Sequence, residues 1–321
     1  MAGRRSEDLG DLVEQARRGK SRAVARLISL VEDESPELPE LARLLTPHTG
    51  RAQVVGLTGA PGVGKSSTTS ALISALRSAG RRVGVLAVDP SSPFSGGALL
   101  GDRIRMTEHA ADPGVFIRSM ATRGQLGGLA AAAPQALRVL DAAGCEVILV
   151  ETVGVGQSEV EVVRLSDTTV VLLAPGMGDG IQAAKAGILE IADIFAVNKA
   201  DRDGASQVSR QLRQLQSMAG AGEGWQPPIV RTVAIQADGV AELVTAIEEH
   251  RRWLVDSGGL ARRRAERARN EVEAIAVSAI RRRLGEVRGA AALPELSRRV
   301  AAGELDPYAA SQELLASLRT D

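Results

Sequence analysis

The sequence has 321 residues, with 39 Lys and Arg against 39 Asp and Glu and 44% hydrophobic residues. That is enough apolar material for one large core plus extensions. The zero formal net charge gives no global electrostatic case for nucleic acid or a membrane surface as a partner, and neither is expected.

In chain order, Met1 to Glu14 is charged and lacks the apolar core of a secretory signal. No window approaches the roughly eighteen uninterrupted apolar residues of a membrane span, so a soluble, cytoplasmic protein is expected. Residues 6–46 read as helical, with Leu9, Leu12, Val13 and Ala16 at helical spacing, a second piece from Ser21 to Glu32, and breaks at Pro36 and Pro39. This predicts an N-terminal helical extension over 1–48.

From residue 53 onward, strand and helix patterns alternate. Short Val-, Ile- and Leu-rich runs at 53–58, 82–88, 115–118, 146–151, 168–174, 193–198 and 229–234 suit strands buried on both faces. Helical patterns intervene at 65–79, 128–143, 157–165, 181–191, 203–219 and 239–255. The alternation predicts an α/β domain over 49–256, a mostly parallel sheet with helices on both faces and right-handed crossovers. Ligands of such sheets bind at the carboxyl ends of the strands. The lone Cys145 precedes an apolar run, excludes an internal disulfide, suits a reducing compartment and reads as a small buried hydrophobe.

The first strand runs into Gly59-Ala60-Pro61-Gly62-Val63-Gly64-Lys65-Ser66, followed by Ser67. This G-x-x-x-x-G-K-[ST] spacing is that of a phosphate-cradling loop. Its glycines permit backbone conformations that aim several N–H groups at one anion, and the following helix adds its positive end. Lys65 would reach the β- and γ-phosphates, and the Ser66 hydroxyl would ligate Mg²⁺.

Candidate metal and water ligands follow later strands. Asp89 ends the second strand and would hold Mg²⁺ or its water shell, with a turn or cap aspartate as the plain alternative. Glu151 ends the fourth strand, where an acid organises Mg²⁺ or the attacking water, although aspartate is the usual residue. Gly154 would offer its N–H to a γ-phosphate. Gln157 either orients water or is an ordinary polar residue at a helix start.

Asn198-Lys199-Ala200-Asp201 ends the sixth strand. In this N-x-x-D spacing with lysine second, the aspartate accepts from the guanine N1–H and exocyclic amine, a pairing that adenine lacks. The lysine stem lies along the base and the asparagine braces the loop. Guanine specificity is therefore expected. Val233-Ala234-Ile235 stands where such proteins clamp the base through backbone, although the match is weak.

Only four of the 39 basic residues are lysine: Lys20, Lys65, Lys185 and Lys199. Where arginine serves as the generic cation, retained lysines mark positions that suit a compact ammonium. Lys185 lies beyond the glycine-rich stretch Pro175 to Gly180, and is a candidate switch residue or a surface lysine. Past Gly258-Gly259, an arginine-rich helical stretch at 260–285 carries Val272, Ile275, Ala276, Ala279 and Ile280 on one stripe, followed by helical pieces at 292–302 and 307–319. Interspersed glutamates and scarce aromatics weigh against nucleic acid.

With the phosphate loop, Asp89-Pro90-Ser91-Ser92, Glu151-Thr152-Val153-Gly154-Val155-Gly156-Gln157-Ser158-Glu159 and Asn198-Lys199-Ala200-Asp201 in this order, the chain resembles the MeaB/ArgK family. These are GTPases associated with methylmalonyl-CoA mutase and kindred coenzyme-B12 mutases. The class is related to signal-recognition-particle and hydrogenase-maturation GTPases, which accounts for glutamate at 151.

The resemblance implies GTP or GDP with Mg²⁺, the metal arranged by Ser66, Asp89, Asp102 and Glu151. Asp102 taken alone reads as a solvated loop residue. It also implies catalysis by Lys65, Glu151, Gln157 and Lys185, and slow hydrolysis accelerated by a partner mutase. The adenosylcobalamin whose loading is gated would belong to that mutase. Residues 257–321 would form a homodimerisation arm. Competing readings are a nickel-insertion metallochaperone, a transport-linked kinase or ATPase, and a scaffold without turnover. The first usually carries Cys/His-rich tracts, whereas His48, His109 and His250 are scattered.

Overall fold

The computed structural model describes residues 2–89, 107–121, 128–152, 158–176, 190–219, 224–288 and 292–317. Seven strands form one parallel sheet: β1 (Gln53–Thr58), β2 (Val83–Asp89), β3 (Val115–Ala121), β4 (Val147–Thr152), β5 (Thr168–Leu173), β6 (Ile194–Val197) and β7 (Ile229–Arg231), in the order β3-β2-β4-β1-β5-β6-β7. The order reverses around β1, which puts the loop after β1 at the switch point where such sheets hold ligands.

Side-chain alternation along the strands sorts the core into two layers. Val55 and Leu57 of β1 and Leu149 of β4 pack beneath α4 (Lys65–Ser78) and α8 (Val240–Asp256), with Leu72, Ile73, Leu243 and Ile247. Val54, Ile148 and Val150 face the other way, toward α5 (Gly128–Ala142) and α6 (Ser158–Leu165). A smaller cluster joins Val171, Phe195 and Val197 to Leu212 of α7 (Ala205–Ala219). Every residue of β1, β5 and β6 is buried, as continuous apolar runs covered on both faces require. Cys145 is buried too, and burial pushes its thiol up to about 12.

The N-terminal helices α1 (Ala2–Arg17), α2 (Ser21–Glu32) and α3 (Leu38–Leu45) share the second layer through fully buried Leu27 and Ile28. Arg118 on β3 pairs with Glu32 and donates to Ser29 at 3.1 Å. The helical extension thus takes up this arginine.

Two strands differ most in length from expectation. β3 runs on to Ala121 because its ladder with β2 continues to the Asp89–Ala121 pair, despite polar residues at its end. β7 stops at Arg231, and Ala234–Gln236 form a 3₁₀ turn closed by Ala237 at φ 57°. Asn198 causes this turn by drawing in the Ala234 N–H and the Thr232 hydroxyl. The helix expected over 181–191 lies largely outside the described residues.

The chain divides into two compact units, 1–267 and 268–321. The long helix α9 (Gly259–Arg288) begins in the first. There Arg263 grips Asp193 with two bonds of 2.6 and 2.7 Å, and Arg264 and Arg267 reach Asp167 at 3.0 and 3.2 Å. Both aspartates are buried just before β5 and β6, so the arginine cluster opening α9 is largely consumed by internal ion pairs. Beside it, His250 is fully buried against Trp225 and Trp253, with Thr168 at 2.9 Å, and burial lowers its pKa to about 4. In the second unit, α10 (Ala292–Ala301) and α11 (Pro307–Ser317) pack through Leu296, Ala310 and Leu314, whereas Val272, Ile275 and Ile280 of α9 are exposed. Among the described residues no helix is long and apolar enough to cross a membrane.

Candidate nucleotide site

The carboxyl end of β1 turns through three glycines in the left-handed region, Gly59 (φ 141°), Gly62 (φ 80°) and Gly64 (φ 99°), before α4 begins at Lys65. Two of them are also dictated by close approach. A Cβ on Gly59 would lie 2.3 Å from the Leu172 carbonyl, and one on Gly64 would lie 2.3 Å from the Asn198 amide nitrogen. No other residue type meets both demands. Gly64 caps α4 by accepting from the Thr68 N–H and hydroxyl, both at 2.9 Å. The Lys65 ammonium folds back to donate to the Gly59 carbonyl at 2.6 Å. Lys65 and Ser66 thus sit buried on the first turn of a helix whose N-terminus attracts anions.

Asn198 and Lys199, just past β6, fasten onto the same loop. Asn198 donates through Nδ2 to the Val63 carbonyl at 2.9 Å. Its Oδ1 accepts from Thr232 at 3.2 Å and from the Ala234 N–H at 3.1 Å. Lys199, itself at φ 55°, donates through Nζ to the Gly62 carbonyl at 2.7 Å. Asp201 is exposed on the following turn. The turn is braced from the end of β7: Thr232 O, just past the strand, accepts from the Ala200 N–H and Arg231 donates to the Ala200 carbonyl, each at 3.0 Å. Val233 and Ala234 are buried, while Ile235 is 81% exposed.

Glu151, on β4 between Leu57 of β1 and Ala87 of β2, is fully buried beside the strand end that feeds the phosphate loop. The Thr69 hydroxyl, one turn beyond Lys65 on α4, lies against Glu151 Oε2 and 3.1 Å from the Lys65 carbonyl, so its single proton serves one of the two. Sequence reasoning missed Thr69, and its position four residues after Lys65 was the available signal. A hydroxyl and a carboxylate near a phosphate loop are hard oxygen donors, the set that Mg²⁺ accepts. The Asp89 side chain, Asp102, Gly154, Gln157 and Lys185 lie outside the described residues.

The far side of α4 is pinned independently. Ser70 contacts Glu108 and lies 2.9 Å from His109, while Arg77 forks onto Asp112 at 2.8 and 3.0 Å. The Arg77 guanidinium, helped by the Gly114 N–H, holds the Asp112 carboxyl below its ordinary range. The helix carrying Lys65 and Ser66 is thereby held along its length.

A family model described as methylmalonyl-CoA mutase-associated GTPase MeaB matches residues 24–288. The chain is similar to a putative GTPase of Pyrococcus abyssi, 48% identical over 310 residues that make up 96% of each protein. It is 36% identical to the GTPase ArgK of Escherichia coli over 260 residues, 78% of each. Among solved structures, one titled LAO/AO transport system kinase matches with a TM-score of 0.67 at 27% identity, covering 97% of this chain and 98% of that one.

Proposed function

The chain belongs to the MeaB family of GTPases, and from that premise we propose that it is a Mg²⁺-dependent chaperone for a B12-dependent acyl-CoA mutase, with methylmalonyl-CoA mutase the first candidate. On this reading it hydrolyses GTP to gate adenosylcobalamin loading and to protect the mutase. The observation that carries the nucleotide assignment is the bracing of Asn198 and Lys199 against Val63 and Gly62, which ties a guanine-reading loop to a phosphate loop.

Each residue then has a role. The Lys65 ammonium, now on the Gly59 carbonyl, would exchange that acceptor for phosphate oxygens, and the N–H groups at the start of α4 would cradle them. Ser66 and Glu151, with Asp89 and Asp102, would hold Mg²⁺ directly or through water. The metal would offset charge on the phosphates. Thr69 would orient Glu151. Gly154 and Gln157 would address the γ-phosphate and the attacking water. Asp201 would read guanine while Val233, Ala234 and Ile235 line the base.

Phosphoryl transfer is accelerated chiefly by positioning and charge stabilisation. Lys185 would supply added positive charge when the mutase binds, which would leave turnover slow alone and faster in the complex. Residues 1–48 would be a helical extension and 257–321 a homodimerisation arm, and the exposed Val272, Ile275 and Ile280 support that role. The test is GTP turnover with and without methylmalonyl-CoA mutase, in wild type and Lys185→Ala. Mutase-stimulated turnover that the variant loses is expected. Full stimulation in the variant would sink the role of Lys185, and no stimulation of wild type would sink the partnership.

A further inference from the structure

A cavity of about 530 Å³ opens at the amino edge of the sheet, opposite the nucleotide site. Its walls come from the approaches to three strands: Arg51 precedes β1, Arg81 precedes β2 and Glu146 precedes β4. Arg17 at the end of α1, His48 and Arg251 of α8 complete the basic lining. The phosphate loop leaves β1 at its other end, so the two sites are separated by the length of that strand.

In the lining, four arginines face two carboxylates. The carboxylate of Asp141 is taken up by backbone, accepting from the N–H groups of Gly50, Ala52 and Arg51 at 2.5, 3.0 and 3.3 Å. Glu146 likewise accepts from the Arg82 N–H at 3.1 Å. Arg17 and Arg81 pair with Glu14 and Glu248, but these pairs are solvent-exposed, where an ion pair contributes little and is readily exchanged. Arg51 and Arg251 have no carboxylate partner among the described residues, and Arg251 touches only the Arg51 carbonyl at 3.4 Å. Among the described residues, four guanidiniums without a buried carboxylate partner therefore share one concave space.

We propose that this cavity is a second anion site, which takes a small molecule bearing a diphosphate. Guanidinium forks match phosphate oxygens two at a time, and more than one fork favours a diphosphate over a single phosphate. The volume falls within the range of small-molecule pockets, roughly 300–1,000 Å³, and leaves room for an organic group beyond the phosphates. With four arginines against two carboxylates that already accept from backbone, the lining gives less reason to hold a cation.

The test is titration calorimetry of inorganic pyrophosphate into the full-length protein saturated with GDP and Mg²⁺, which keeps the phosphate loop occupied. Saturable binding is expected in wild type, weakened at least tenfold in Arg51→Glu/Arg251→Glu, with GDP affinity unchanged. If charge reversal prevents folding, the Arg51→Gln/Arg251→Gln pair should give a loss of the same sign. ADP binding more tightly than pyrophosphate, with the same dependence on the arginines, would support the site and add an organic group to its ligand. Absence of saturable binding in wild type, or undiminished binding in both variant pairs, would overturn the proposal. A hexaglutamate peptide outcompeting pyrophosphate would also overturn it and make the cavity a docking place for an acidic protein segment.

Discussion

Asn198 and Val63 are 135 residues apart in sequence, yet the asparagine amide donates to the valine carbonyl at 2.9 Å. The same side chain accepts from Thr232 and from the Ala234 N–H. One buried amide thus joins the phosphate loop, the turn after β6 and the chain after β7. Asn198→Ala should weaken GTP and GDP binding alike, by about 10- to 100-fold, since buried groups left unpaired cost about 1–3 kcal/mol. Fluorescent-GDP titration checks this, and a loss under threefold would mean the loops are held by other contacts.

Asp201 should set base choice without setting phosphate affinity. In Asp201→Asn the amide no longer accepts from both guanine donors but can donate to the 2-oxo group of xanthine. GTP affinity should fall at least about tenfold while xanthosine triphosphate gains, because lost hydrogen bonds to a charged group cost about 1.5–3 kcal/mol each. Competition between the two nucleotides reads this directly.

Glu151→Gln preserves shape and removes charge. The variant should bind GDP within a few-fold of wild type but lose at least about 100-fold in Mg²⁺-dependent turnover, since the proposed acid acts on metal and water rather than on the base. Thr69→Val should show a milder loss of the same kind, visible as a higher Mg²⁺ requirement. Equal turnover by Glu151→Gln and wild type would remove Glu151 from the chemistry.

These residues also show what the sequence could and could not disclose. The phosphate loop and Asn198 to Asp201 are legible because their chemistry needs particular side chains within a few consecutive positions. Thr69 and Glu151 lie 82 residues apart, and Arg263 and Asp193 lie 70 apart, so neither pairing has a local pattern. Ala234 contributes a backbone N–H to Asn198, for which nearly any side chain would serve, and this is why the motif around it reads weakly. Nothing near the arginines opening α9 in sequence announces the buried aspartates, just before β5 and β6, that pair with them.

His250 gives stability a pH dependence with a definite sign. Its folded-state pKa of about 4 lies below the unfolded value of about 6.5, so the unfolded chain takes up the proton first as pH falls. Stability is therefore full above about pH 7 and drops as pH falls from 6.5 toward 4, by roughly 1–2 kcal/mol at pH 5. Thr168, Asp193, Trp225 and Trp253 surround the ring, and Asp193 partly opposes the shift. Urea unfolding at pH 7 and pH 5 should show the drop, and His250→Gln should flatten it. A wild-type midpoint that does not move would contradict the buried neutral ring.

The ion pairs at the start of α9 predict where that helix is anchored. Asp193→Asn keeps an acceptor for the Thr169 N–H but leaves Arg263 without its countercharge. A loss of about 1–3 kcal/mol is expected, less than for a fully buried pair because Arg263 is partly solvated. The Arg263→Met/Asp193→Asn cycle should return a coupling of the same sign, and additive effects would mean that the two do not act together.

The most direct test of the account is displacement of fluorescent GDP from the purified chain by GTP and by ATP, with Mg²⁺ present and phosphate release followed in parallel. GTP should displace at a concentration at least about 100-fold lower than ATP, as expected when a site built for hydrogen bonds meets a base that lacks them. It should also be the nucleotide that releases phosphate. Displacement and hydrolysis of ATP on equal terms with GTP would contradict the guanine-reading role of Asn198, Lys199 and Asp201, and with it the proposed function.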